Sequence, residues 1–243
     1  MSASFVSASS QRLLNTASPV TAYPFTIGLW VKPTTLAVAK VIVSVGDPAD
    51  TNHINLYQRT GNIFQIFTTG AGSSTGGGTV SNQWFFFVLR AISATNRRWD
   101  YIAQDGSTAT DSTNVSGPLG AMTSIALGAT ASTVGASFFD GNIAEFWVAN
   151  TDIQLDGLVL QQAMLQQLAY GGPFSVPHIA KDIADYRSLR SALDSNQDNL
   201  SDYESGNKGR QTWVNTNGVT LGAHPPLPGW YRGPNDVNRI GLI

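Results

Sequence analysis

Phe25-Thr26-Ile27-Gly28-Leu29-Trp30-Val31-Lys32 decides the fold. Phe25, Ile27, Leu29 and Val31 fall on one face, and Thr26, Gly28, Trp30 and Lys32 on the other. That is the period of two of a β-strand, and Pro33 ends it. Val41, Val43 and Val45 keep the same period up to the turn at Gly46-Asp47-Pro48. Residues 53–59 read as the next strand, and Thr60-Gly61-Asn62 as a hairpin turn into residues 63–68. Residues 70–78 offer nothing to bury and read as a loop. Residues 84–92 are nearly all apolar, which suits a strand covered on both faces. Residues 98–104 follow, closed by the turn signal Asp105-Gly106. Residues 125–128, 142–149 and 183–189 read as further short strands. Strands at roughly ten-residue spacing with turns between them predict an all-β sandwich or barrel.

One segment breaks this rhythm. Asp156 is placed to cap a helix over residues 157–170, with Leu160, Met164 and Leu168 stacked on one side and Leu158 and Leu165 flanking them. Gly171-Gly172-Pro173 ends it. Such a helix is expected to pack on the sandwich. Residues 1–20 are small and polar and read as an N-terminal arm or a first edge strand. Residues 191–243 read as an irregular tail rich in Pro, Gly and Asn, packing on the sandwich or on a neighbour.

Composition narrows the class. The chain has 243 residues, long enough for a sizeable core. Only 12% of its residues are charged, about half the usual share. The net charge is −2, so a nucleic-acid backbone is not the expected partner. No apolar run reaches the ~18 residues of a membrane helix. The first six residues lack the basic start and apolar core of a secretory signal. There is no cysteine, hence no disulfide framework, which fits folding in a reducing cytoplasm.

Several segments, in order, resemble the concanavalin A-like, laminin-G-like jelly-roll family. Residues 23–33, Tyr-Pro-Phe-Thr-Ile-Gly-Leu-Trp-Val-Lys-Pro, resemble its P-F-T-I-x-x-W-V-K-P strand. Asn82-Gln83-Trp84-Phe85-Phe86-Phe87 lies where the family has W-x-H-V-A, with Phe86 in place of the usual His. Residues 97–106 are similar to its R-x-x-Y-x-N-G strand and turn. Phe139-Asp140-Gly141-Asn142-Ile143-Ala144-Glu145-Phe146-Trp147-Val148 resembles F-x-G-x-I-A-E-V-x-I, and the helix matches the L-S-x-x-E-I-x-x-L-A-x-G segment. The resemblance implies one sandwich over residues 21–190. Ser205-Gly206-Asn207-Lys208-Gly209 and Thr220-Leu221-Gly222-Ala223-His224-Pro225-Pro226 are similar to the ending of such domains in phage virion proteins.

That likeness implies a non-enzymatic phage structural protein, folded in the host cytoplasm and residing in the virion as a capsid decoration, fibre or tail-associated part. Its expected partners are other virion proteins, host surface polysaccharide, and further copies of itself in a symmetric oligomer such as a trimer. The alternatives are a free carbohydrate-binding module and a glycosidase. A glycosidase needs two carboxylates flanking the scissile bond, and no E-x-D-x-x-E strand occurs. Glu145 reads as a fold feature. His53, His178 and His224 have no serine elbow around them.

Sugar binding needs aromatic platforms, and Trp99, Tyr101 and Tyr57 are the candidates. Trp30, Trp84 and Trp147 sit in apolar strands and read as core. Trp213, Trp230 and Tyr231 in the tail are candidate partner contacts. Calcium is the one cofactor considered. Its candidate ligands are Asp47, Asp50 and Asn52 in one loop, or the run Asp194-Ser195-Asn196-Gln197-Asp198 through Asp202 and Glu204, which lacks the glycine at position six and the acid at position twelve of a calcium loop.

Overall fold

The computed structural model describes residues 2–36, 38–49, 51–60, 62–68, 73–78, 81–114, 120–153, 165–169, 183–187 and 214–222. These form strands β1 (Ser2–Phe5), β2 (Arg12–Asn15), β3 (Phe25–Pro33), β4 (Lys40–Gly46), β5 (His53–Arg59), β6 (Ile63–Thr68), β7 (Ser73–Gly78), β8 (Phe85–Ala91), β9 (Asn96–Ala103), β10 (Thr108–Asn114), β11 (Ser124–Leu127), β12 (Gly141–Ala149), β13 (Ile183–Arg187), β14 (Val214–Thr216) and β15 (Thr220–Gly222). They make two antiparallel sheets. The first runs β10-β9-β8-β3-β12-β1-β15, with β13 also pairing β12. The second runs β14-β2-β11-β4-β5-β6-β7. Of the sandwich or barrel that the strand spacing predicts this is the sandwich, and it has the jelly-roll form that the family resemblance implies. No described helix is long and apolar enough to cross a membrane.

The period of two explains the core. Phe25, Ile27, Leu29 and Val31 of β3 face inward with Phe85, Phe87 and Leu89 of β8. They meet Val43, Val45, Ile54, Leu56, Phe64 and Ile66 of the second sheet. Each such side chain, fully buried, contributes about 1.5–3 kcal/mol. β8 is covered on both sides, as its apolar run predicts: Phe86 and Val88 point outward into a second cluster. That cluster holds Trp30, Trp84, Ile102, Ala144 and Trp147, capped by Ile153, Leu165, Leu168 and Ala169. Residues 165–169 are helical, in the C-terminal part of the predicted helix. The Trp30 Nε1 donates to the Ala169 carbonyl at 2.9 Å and pins this turn to the sheet. Gly28 makes the fit possible, because a Cβ there would lie 2.1 Å from the Trp147 ring.

The turn read at Asp105-Gly106 forms, and it leads into β10, which makes a hairpin with β9. Three expectations need correction. The predicted loop at 70–78 contains β7, paired with β6 from Ser73 to Gly78. Backbone pairing needs no apolar side chain, so an edge strand of Ser, Thr and Gly leaves no hydrophobic signal. The N-terminal segment is neither an arm nor an edge. β1 lies between β12 and β15, and β2 between β14 and β11. Finally, part of the tail is regular.

β14 and β15 add one strand to each sheet, so the chain crosses the sandwich edge at Asn217-Gly218, where φ is +60° and +71°. The β1–β2 connection crosses alongside it. Gln11 Nε2 donates to the carbonyls of Asn217 and Gly218, and Asn217 Nδ2 donates to the Ser10 carbonyl. Val219, between them, plugs the core.

β12 carries a bulge between Ala144 and Trp147. Glu145 takes the left-handed conformation there, at φ +51°. The extra residue resets the alternation: Ile143, Phe146 and Val148 point into the main core, while Ala144 and Trp147 point outward.

Candidate functional site

The outer face of the second sheet is built differently from that of the first. Over part of it a loop closes the surface. Ser44 Oγ of β4 accepts the Ala131 N–H at 3.0 Å, and Ser124 Oγ donates to the Ala131 carbonyl at 2.7 Å. Arg12 reaches out of β2 to the carbonyls of Ser132 and Thr133. Beside this strapped loop lies the β5–β6 hairpin.

Ile54 and Leu56 of β5 point inward, so His53, Asn55, Tyr57 and Arg59 point outward. On β6, Phe64 and Ile66 point inward, so Gln65 and Phe67 point outward. The register sets Asn55 opposite Phe67 and Tyr57 opposite Gln65. The Tyr57 and Phe67 rings therefore meet on the diagonal, 6.0 Å apart and near perpendicular. Both are half-buried. The His53 ring lies 5.9 Å from Phe67, and the Arg59 guanidinium 5.7 Å from the Tyr57 ring.

Beside the rings, on the same face, are two amides. Asn55 is 0% exposed and Gln65 6%. Asn55 Nδ2 donates to the Tyr57 hydroxyl across a long 3.4 Å. Asn55 Oδ1 and Gln65 Oε1 accept no hydrogen bond among the described residues. A buried acceptor without a donor costs about 1–3 kcal/mol. The hairpin thus combines an aromatic pair with two unsatisfied acceptors, the two elements that sugar recognition uses.

Of the residues read from sequence as carbohydrate contacts, Tyr57 lies in this strip. Trp99 and Tyr101 do not, and this is a correction. They share a strand face, but it is the inner one: Trp99 is 0% and Tyr101 5% exposed. Their rings stack in parallel at 5.9 Å, packed with Phe87. Burial, with the charge of Asp105, pushes the Tyr101 hydroxyl pKa up. Arg97 on the same face is buried too, donating to the Tyr23 hydroxyl at 3.0 Å and stacking on its ring. Trp30, Trp84 and Trp147 are buried, as expected, but in the outer cluster of the first sheet.

Trp213, Trp230 and Tyr231 lie outside the described residues, as do Asp50, His178, His224 and the run 194–204. Asp47 has its carboxylate taken up within its own loop. It accepts from the Thr51 N–H and hydroxyl and from Asn52 Nδ2, at 2.7–3.0 Å. Burial raises its pKa, but the hydrogen bonds from Thr51 and Asn52 outweigh that and hold it down at about 2. Asn52 turns its amide nitrogen, not its oxygen, to this carboxylate. Among the described residues no group of three His, Asp or Glu is placed to hold a metal. Asp140 accepts from the Ser7 N–H and hydroxyl at 2.6 Å and pairs with Lys40 at 3.7 Å. Sequence reasoning missed Asn55, Gln65 and Phe67. The alternation of β5 and β6 places them on one face, but only the register shows them to be neighbours.

The chain resembles known proteins at the level of fold. It is similar to tailspike protein 2 of an Escherichia coli O157:H7 bacteriophage, with TM-score 0.53 and 16% identity. That match covers 79% of this chain and 29% of the tailspike. It is also similar to a protein of Bacteroides ovatus described as a putative carbohydrate-binding protein, with TM-score 0.52 and 12% identity over 79% of this chain and 52% of that one. The chain thus spans well under two thirds of either protein. No curated protein sequence matches it. Residues 7–155 match the family of the concanavalin A-like lectin/glucanases superfamily, and the chain, whose described residues form a two-sheet jelly roll, belongs to it.

Proposed function

We propose that this chain is a non-enzymatic, lectin-like subunit of a phage particle, mounted on the capsid, tail or fibre and binding host surface glycans through the outer face of its second sheet. The observation that carries the glycan reading is the half-buried Tyr57–Phe67 pair beside the amide oxygens of Asn55 and Gln65, which accept no hydrogen bond among the described residues. The fold likeness to a phage tailspike and the virion-like tail motifs support the particle. Binding rather than hydrolysis is supported by the two acids nearest the family's most specific motif. Asp140 is engaged by Ser7 and Lys40, and Glu145 is buried at a bulge.

Mass spectrometry of purified particles tests this. A fixed copy number per particle is expected, and recovery only as free protein in lysates overturns it. A trimer is the expected oligomer, checked by size exclusion with light scattering. A second reading, a free carbohydrate-binding module, is favoured by the likeness to the Bacteroides ovatus protein. Glycan binding without particle association selects it.

A further inference from the structure

Resting on the glycan-binding reading above, we propose that the β5–β6 strip takes a neutral, hydroxyl-rich pyranose, and that Tyr57 is its gate. Asn55 Oδ1 and Gln65 Oε1 are acceptors with no donor among the described residues. Ligand hydroxyls are donors. A carboxylate or sulfate at these oxygens would instead bring acceptor against acceptor, so the centre of the strip disfavours acidic groups, and the cation Arg59 lies at its margin. Phe67 and Tyr57 offer apolar ring surface for the C–H face of a pyranose.

The amide oxygens are covered, so something has to move. Tyr57 is half-buried, and among the described residues its hydrogen bond to the strip is the 3.4 Å contact with Asn55, near the limit of a useful bond. Swinging the ring outward gives up that bond and the edge contact with Phe67, opens the side of Asn55 that faces Tyr57, and leaves the ring beside the ligand as a stacking wall. Phe67 stays opposite, steadied by His53. Arg59, stacked on Tyr57, moves with it and supplies donors at the margin of the strip.

Calorimetry on the full chain tests this, with maltotriose, lactose and mannobiose as neutral probes and 3′-sialyllactose and oligogalacturonate as acidic ones. A neutral probe is expected to bind and the acidic ones not. Gln65→Met keeps the shape and removes the acceptor. Its affinity should fall at least tenfold while the melting temperature holds or rises, since an unsatisfied buried group is gone. Asn55→Ala should lose as much. Tyr57→Phe removes the hydroxyl that holds Asn55 and keeps the ring, so it should bind tighter than the parent, and unchanged affinity overturns the gate. If Gln65→Met and Asn55→Ala bind like the parent, the site is overturned while glycan binding stands. Preference for the acidic probes overturns the ligand class. Silence of the parent toward every probe overturns the glycan reading and this site with it.

Discussion

The two sheets present alike inner faces and opposite outer ones. The first sheet spends its outer face on a second core: three tryptophans, sealed by the helical turn at 165–169. There a polar atom is used to hold structure, as when Trp30 Nε1 pins the Ala169 carbonyl. The second sheet carries buried amides beside half-buried rings, and the oxygens of Asn55 and Gln65 accept no hydrogen bond among the described residues. One outer face is packed under a helical turn, whereas the β5–β6 part of the other keeps polar acceptors without a donor among the described residues.

The comparison breaks first at Trp147. Trp147→Ala should cost about 3–5 kcal/mol, by the cavity it leaves in the second core. Thermal unfolding by circular dichroism would read this as a fall of roughly 10 °C. A loss under about 1 kcal/mol would mean that the first sheet's outer cluster is only a decorated surface. Next is Ser44→Ala, which leaves the buried Ala131 N–H without its acceptor and should cost about 1–3 kcal/mol in denaturant unfolding. An unchanged midpoint would show that the loop over β4 is not strapped. A finer test sets Trp30→Phe against Trp147→Phe. Trp30 Nε1 is bonded to Ala169, whereas Trp147 Nε1 is buried without an acceptor among the described residues. Trp30→Phe should therefore cost about 1 kcal/mol more. Phe67→Ala, on the other outer face, should cost less than Trp147→Ala by a wide margin, about 1 kcal/mol in all, because the ring is half-exposed.

How much of this was legible follows the same division. β3 and β8 announce themselves because burial writes a period of two, or an unbroken apolar run, into their residues. Strands built of small and polar residues, or only three residues long, leave no such mark, and β7, β10, β14 and β15 are of that kind. Alternation says which residues share a face but not which face is inside. Trp99 and Tyr101 share a face, and nothing in their alternation says that it is the inner one. Glu145 hid the bulge, since a left-handed residue in mid-strand has no sequence signature when it is not glycine. The strip itself depends on the β5–β6 register: Tyr57 could be named from sequence, but Phe67 meets it only across the diagonal of a paired hairpin.

The smallest expected effect lies at the rim, in the loop between β4 and β5. Asp47 titrates at about 2 when folded, against about 3.9 unfolded. A depressed carboxylate stabilises the fold fully above its unfolded pKa and loses that contribution as pH falls through its folded pKa. The midpoint in urea should thus be flat in Asp47's contribution above about pH 5 and decline between about pH 4 and pH 2. Asp47→Asn should remove that part of the decline. Solvent screening at this largely open site keeps the effect under about 1 kcal/mol. Because Thr51 and Asn52 already fill the carboxylate's acceptor positions, calcium at neutral pH should leave the parent's melting temperature unchanged. A rise of several degrees with calcium, absent in Asp47→Asn, would mean that the loop gives up its own hydrogen bonds to an ion, and that the rim contributes to recognition alongside the β5–β6 face.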